Sequence, residues 1–369
     1  MHSDGSIGAE PLITSTAEED LRWTARLGTL MRGKGRNVGL LLALASWIAI
    51  VAWHNSLFVS TSNLKVIGLN MSYAAIAGIG TTFLIVTGSI DLSIGSNFAL
   101  AAVSSAMMAK VMPVELAFLC GILVSGAVGL INGVLTWKVP VSPIIITLGG
   151  LSLLHGLVLV ISHGYGVPGV PDDFTHFGRS EWFGVPMAVV VMVIVALLAA
   201  VVLYFTTIGR HCYAVGGSRA ASAAAGLNVR LIHLSVFVFS GLLVGLAGIL
   251  AASRFGQPDA TYGVGFELVV ITGVILGGVS FAGGEGGVIG ALLGIAMLSV
   301  IDAGIVSLNV DAYYAEVVKG AILIIAVSAD QFAQVQRERF QKVMAMREQA
   351  RVEEERQRHR QMATAAEQR

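Results

Sequence analysis

Charge is scarce in this 369-residue chain. Asp, Glu, Lys and Arg make up 12% of it, 23 basic residues against 23 acidic. A soluble domain carries about 25% charge. Half that supply cannot coat a water-facing surface of this size, so lipid must be the solvent for most of it. With zero net charge and no basic patch interleaved with aromatics, nucleic acid is not an expected partner. Cysteine is scarcer still. Cys120 lies in an apolar run and Cys212 in a basic loop, which leaves no disulfide framework and no metal site of thiolates. No G-x-x-x-x-G-K-S/T phosphate loop occurs, so the chain does not bind ATP by that route. H-E-x-x-H, G-x-S-x-G and a paired-carboxylate helix are missing too, and the eight histidines are scattered, with His155 and His163 lacking companion ligands. No catalytic residue, metal ligand or bound cofactor is expected.

What the chain has is apolar length. Hydrophobic residues are 55% of it and the mean hydropathy is +0.78. Membrane strands would alternate in polarity over about 10 residues, whereas runs of about 17–25 residues suit helices. Such runs fall at 38–53, 66–86, 95–111, 114–136, 144–162, 185–206, 231–252, 268–280, 288–308 and 313–329. The expected fold is an all-α polytopic transmembrane helical bundle of about 10 spans. Glycine-rich breaks at 88–95 and 280–287 read as re-entrant segments rather than fully solvated loops. Their recurrence, each flanked by apolar runs, fits a duplicated unit.

The flanks divide the chain into an N-terminal tail (1–37), a transmembrane domain (38–330) and a charged C-terminal tail (331–369) that reads as a solvated helix. The first tail ends in Arg22, Arg26, Arg32, Lys34 and Arg36. Its length, and the lack of a small-residue cleavage site after the first run, argue for a retained span over a signal peptide. Basic loops face the cytoplasm. Lys138, Arg210, His211, Arg219 and Arg230 then lie inside with both termini, and Glu115, Asp172, Asp173 and Glu181 lie outside, with Arg179 and Arg254 as exceptions. The insert 163–183, rich in proline and glycine, reads as an ordered outer loop, a docking site or a plain connector.

Two sets of residues invite a functional reading. The cytoplasmic loop 208–230 reads as a short amphiphilic helix that Ser218 caps and Gly226–Asn228 ends. Its run of small residues, 220–225, leaves a low surface for close packing, either by a partner or as an ordinary interfacial helix. The second set is polar and intramembrane. A carboxylate at mid-membrane costs about 3 kcal/mol or more, so it lines a cavity or is paired. Asp91, with Ser93 beside it, reads as pore lining or as a helix cap, and Glu267 as a cap or a ligand. Asp302 reads as a ligand for the hydroxyl of a polar solute or as a structural acceptor. Asn97 and Asn132 suit a neutral polyol or helix–helix hydrogen bonds equally. Glu316 and Lys319, i and i+3, should pair with each other.

Several stretches in order carry a resemblance: TGSIDLSIG from Thr87, NGVLTWKVPVSPIIITLGG from Asn132, the loop 209–228, residues 252–287 and YYAEVVKG from Tyr313. Together they resemble the permease subunits of bacterial ribose/xylose/arabinose-type ABC sugar importers over residues 38–330. The resemblance implies a permease dimer, cytoplasmic ATPase subunits that carry ATP and Mg, a periplasmic sugar-binding protein and a place in the bacterial inner membrane.

 The resemblance further implies that two copies form a homodimer and that 218–228 is the coupling helix docked on the ATPase, with Gly216, Gly217, Ser218, Arg219, Ala223, Gly226 and Asn228 at the contact. Similar proteins usually carry acidic residues after the paired glycines, where this chain has Arg219 and Ala220. The function expected is monosaccharide import by alternating access. An ion-coupled secondary transporter of a small polar solute would instead need a buried acid such as Asp91 or Asp302, and a passive channel would need no docking helix.

Overall fold

The computed structural model describes residues 34–336 apart from 312 and 333, together with 346, 349, 351 and 353. Most of both expected tails therefore lies outside the described residues. In hydrocarbon each backbone N–H and C=O must be satisfied within its own segment, which turns the apolar runs into helices. The order is α1 (Lys34–His54), a 3-10 turn (Ser56–Val59), α2 (Thr61–Val86), α3 (Ile94–Met108), α4 (Val114–Lys138) and α5 (Pro143–Ser162). Then come α6 (Asp172–Arg179), strands β1 (Glu181–Trp182) and β2 (Val185–Pro186), α7 (Met187–Phe205), α8 (Thr207–Gly217) and α9 (Arg219–Ala224). The chain continues through α10 (Val229–Phe255), a 3-10 turn (Ala260–Gly263), α11 (Phe266–Leu276) and α12 (Val288–Ser307). Residues 313–332 form a further helix, α13.

A helix stands at each of the ten expected runs, but they are not equal. Among the described residues, seven (α1, α2, α4, α5, α7, α10 and α12) are long and apolar enough to cross a membrane. The 15 residues of α3 and the 11 of α11 reach only about 22 and 17 Å at 1.5 Å per residue, short of a hydrocarbon core of about 30 Å. Each short helix adjoins one of the glycine breaks, so these two runs are half-spans rather than full crossings.

The helices α2 and α10 form the centre. Nearly all of the apolar window of α2 is buried, and α10 packs on α2, α3, α4 and α6. Lipid gives apolar side chains no reason to cluster, so helices in a bilayer associate through close approach and hydrogen bonds. The α4–α10 contact is built that way. A Cβ on Gly241 would lie 2.6 Å from the Ser125 carbonyl oxygen, and one on Gly245 would lie 2.7 Å from Ser125 Cβ. Across the same contact Ser125 Oγ donates to the Gly241 carbonyl at 2.6 Å. The outer helices show the opposite character. Ile145, Leu148 and Leu153 on α5, and Ile194, Leu197 and Leu198 on α7, point outward as a band that lipid would cover.

The insert 163–183 is ordered. It folds into α6 and the first half of a two-residue-stranded hairpin, whose register pairs Glu181 with Pro186 and Trp182 with Val185. Phe183 (φ 51) and Gly184 (φ 79) form the turn, both in the left-handed region that such tight hairpins require. The insert is tied to the bundle: Gly178 N–H donates to Ser253 Oγ at 2.7 Å, and Lys65 Nζ reaches Glu181 at 2.7 Å.

Candidate coupling face and translocation core

Both glycine breaks start in the same way. Ser89 N–H returns to the Leu84 carbonyl and Gly88 N–H to Ile85, and Val279 and Gly278 do likewise to Val274 and Ile275. This is a Schellman end, and it places Gly88 (φ 70) and Gly278 (φ 82) in the left-handed region. The two breaks then meet. Gly284 N–H donates to the Val86 carbonyl at 2.8 Å, and Tyr213 of α8 donates its hydroxyl to the Gly286 carbonyl at 2.7 Å. Gly216 sits at the crossing, where a Cβ would lie 2.6 Å from Gly284 N. The second break is also held from the other side: Asp330 Oδ2 accepts from Phe281 N–H at 3.0 Å and from Gln334 Nε2 at 2.7 Å.

The loop 208–230 folds as two helices where one was expected. Ser218, extended at φ −162 and ψ 109, ends α8 and starts α9, its Oγ accepting from Ala221 N–H at 3.2 Å. The paired glycines explain the break: Gly216 is pressed against the crossing, while Gly217 stands in open space and places no side chain in the way of the turn. A third Schellman end closes α9, with Leu227 N–H on the Ser222 carbonyl, Gly226 N–H on Ala223, and Gly226 at φ 83. Asn228 then caps α10 by accepting from Leu231 N–H at 3.0 Å. Ala220, Ala221 and Ala223–Gly226 are exposed, and Ser222 faces inward. Arg219 is exposed beside them, and its Nη2 donates to Ser89 Oγ at 3.1 Å and to the Gly88 carbonyl at 3.3 Å. Beside it, a cavity of about 360 Å³ lies among Thr136, Trp137, Arg219, Ala220, Ala223 and Val229. Burial of Cys212 on α8 pushes its thiol up to about 11, so it stays protonated near neutral pH.

Of the expected intramembrane residues, the fold brings three together. Asp91 Oδ1 accepts from Ser93 N–H at 2.8 Å and from Ser93 Oγ at 2.7 Å. Asn132 Nδ2, from α4, reaches Asp91 Oδ2 at 3.3 Å and Ser93 Oγ at 2.8 Å. All three are buried. Asp91 thus accepts the N–H of Ser93, the residue just before α3, and also faces α4, while no side chain caps α3 itself. Asn97 stands apart, donating from Nδ2 to the Ser125 carbonyl at 3.2 Å and so tying α3 to α4. Glu267 lies in the first turn of α11 and packs against Gly95. The rings of Phe98 and Phe266 lie against each other at a tilt of 32°, centroids 4.3 Å apart. Asp302 pairs with Lys319 at 3.1 Å, and Lys319 also holds Glu316 at 2.9 Å.

Sequence reasoning missed His233. It is buried on α10, with Nδ1 3.3 Å from Ser89 Oγ and Nε2 2.9 Å from Thr136 Oγ1. The sole signal in the sequence is an imidazole inside an apolar run. Its partners stand 144 and 97 residues away, beyond the reach of any local pattern. Tyr213 and Asp330 escaped notice for the same reason.

Comparison with known proteins gives one family. The model of the branched-chain amino acid transport system permease component matches residues 64–327. The D-allose transport system permease protein of Escherichia coli is 37% identical over 74% of this chain and 84% of the relative. The ribose import permease protein of Escherichia coli is 37% identical over 79% of this chain and 92% of the relative. An L-arabinose ABC transporter permease protein of Azospirillum brasilense is 34% identical over 76% and 83%. No solved structure matches the chain.

Proposed function

This chain belongs to the permease-component family of branched-chain amino acid transport systems, and on that premise we propose that it is the membrane-spanning subunit of an ABC importer for a monosaccharide. The observation that carries the reading is identity to permeases named for ribose, allose and arabinose over most of both chains. The chain is a multi-pass membrane protein of a transport family and not an enzyme. In this reading residues 38–330 are the permease proper, two copies form the pore, and both termini lie in the cytoplasm of the inner membrane. ATP and Mg sit on separate ATPase subunits, and a periplasmic binding protein delivers the sugar to the outer face, where α6 and the hairpin lie.

The α8–α9 elbow is then the coupling element. Its exposed alanines and Gly226 offer a low surface on which an ATPase packs, and its inner side touches both glycine breaks. The Asp91–Ser93–Asn132 cluster at the first break, with Asn97 on α3 and Glu267 at the start of α11, lines the path of a neutral polyol in this reading. The acids that an ion-coupled carrier would use are occupied, Asp91 by three donated hydrogen bonds and Asp302 by Lys319, which favours a borrowed ATPase.

Reconstitution tests this. The permease alone in vesicles should fail to concentrate ribose, allose or arabinose under an imposed proton or sodium gradient. With its ATPase, its binding protein and ATP it should accumulate one of them, even when ionophores collapse the gradients. Gradient-driven accumulation by the lone permease, lost on Asp91→Asn, would overturn the reading in favour of a secondary carrier.

A further inference from the structure

The hydrogen bonds around His233 have a direction, and it can be read from what each group is able to do. A guanidinium only donates, so Ser89 Oγ accepts from Arg219 Nη2. Its single proton is then free for His233 Nδ1, which accepts. Thr136 Oγ1 donates to the Asn132 carbonyl at 2.7 Å, so it accepts from His233 Nε2. The neutral imidazole with its proton on Nε2 is therefore the tautomer assigned by this network. The chain runs one way: Arg219, Ser89, His233, Thr136, Asn132. It leaves the first residue of α9, enters the first glycine break, crosses α10 and ends on α4, at the residue whose side chain holds Asp91 and Ser93.

Three features make this more than a set of satisfied groups. Ser89 and His233 are each about 1% exposed, so no water competes for the central link. The members come from four separate elements, so relative movement of any two must break or lengthen a bond. The one exposed member, Arg219, is attached to the surface on which a partner would press.

We propose that Arg219, Ser89 and His233 are positioning residues for transport: together they carry displacement of α9 to the Asp91–Asn132 cluster, so that the break between α2 and α3 changes its seating when the elbow moves. This rests on the reading of α9 as the ATPase contact. Arg219 then acts inward, as the start of the link, and the partner reads the alanines beside it. Coupling through such a link requires that its two ends respond together.

The experiment uses the complete complex of permease, ATPase and binding protein in vesicles and measures sugar taken up per ATP hydrolysed. Arg219→Ala and Ser89→Ala should each lower that ratio at least tenfold while the permease level holds, and Ser89→Ala, buried away from the partner surface, should also leave ATP hydrolysis intact. The double variant should be no worse than either alone, because both cut one link. Arg219→Lys, which can still donate to Ser89, should recover much of the loss, and His233→Gln should do better than His233→Phe. Unchanged uptake per ATP in Arg219→Ala, or losses that multiply in the double variant, would overturn the link. Parallel loss of permease level and ATP hydrolysis would also overturn it, by showing a role in folding alone. A wild-type complex that moved no sugar on ATP would instead sink the proposed function, which is a different result.

Discussion

Replacing Asn132 by leucine removes the only group that the described structure places on Asp91 Oδ2. Its Nδ2 lies 3.3 Å from that oxygen, while Oδ1 keeps two donors from Ser93. Leucine is close to asparagine in size, so the change tests the hydrogen bond more than the packing. A buried charged group that loses its partner costs upward of about 1–3 kcal/mol, and a carboxylate at membrane depth about 3 kcal/mol on insertion scales. Asp91 is 5% exposed, so water cannot replace the amide without rearrangement. Asn132→Leu should therefore destabilise the permease by about 3 kcal/mol. In an Asp91→Asn background the stranded group is a neutral amide, and the same change should cost only about 1 kcal/mol. The assay is a double-mutant cycle on reversible unfolding in mixed micelles, which isolates a coupling of about 2 kcal/mol between neighbours. Equal costs in the two backgrounds would refute the reasoning, because they would mean that the amide does not serve the carboxylate.

Two further outcomes follow from packing and from burial. Gly241→Leu should destabilise by at least about 1–3 kcal/mol through overpacking, since even its Cβ would stand 2.6 Å from the Ser125 carbonyl, while Gly149→Ala, with nothing within 4 Å, should be neutral or gain up to about 1 kcal/mol; unfolding of the two variants in micelles checks the contrast. Cys212, with its thiol pushed up to about 11, should react with a maleimide slowly at pH 7 and roughly tenfold faster per pH unit until that value, because a raised value keeps the unreactive thiol form below it; a rate independent of pH between 7 and 9 in a Cys120→Ser background would contradict its burial.

The sequence by itself determined the solvent and the class of the fold. A charge content of 12% and runs of about 20 apolar residues admit a helical membrane bundle and little else, and the positions of all ten runs follow from apolar length alone. Local chemistry was legible too: Ser218 and Asn228 cap helices as their side chains dictate, Gly226 takes the left-handed turn, and Glu316 meets Lys319 one helical turn away. These depend on neighbours within four residues, which a linear reading contains. Tertiary structure decided what depends on distant partners. Gly216 forces α8 and α9 apart at Ser218 because Val86 and Gly284 press on it. Asp302 pairs with Lys319, and Arg219, itself exposed, donates to Ser89 across 130 residues of sequence. His233 gains its role from Ser89 and Thr136, residues on two other elements. The physical reason is the low dielectric of the interior: a buried polar group must find a partner wherever the fold supplies one, and only the packed bundle sets which partner that is.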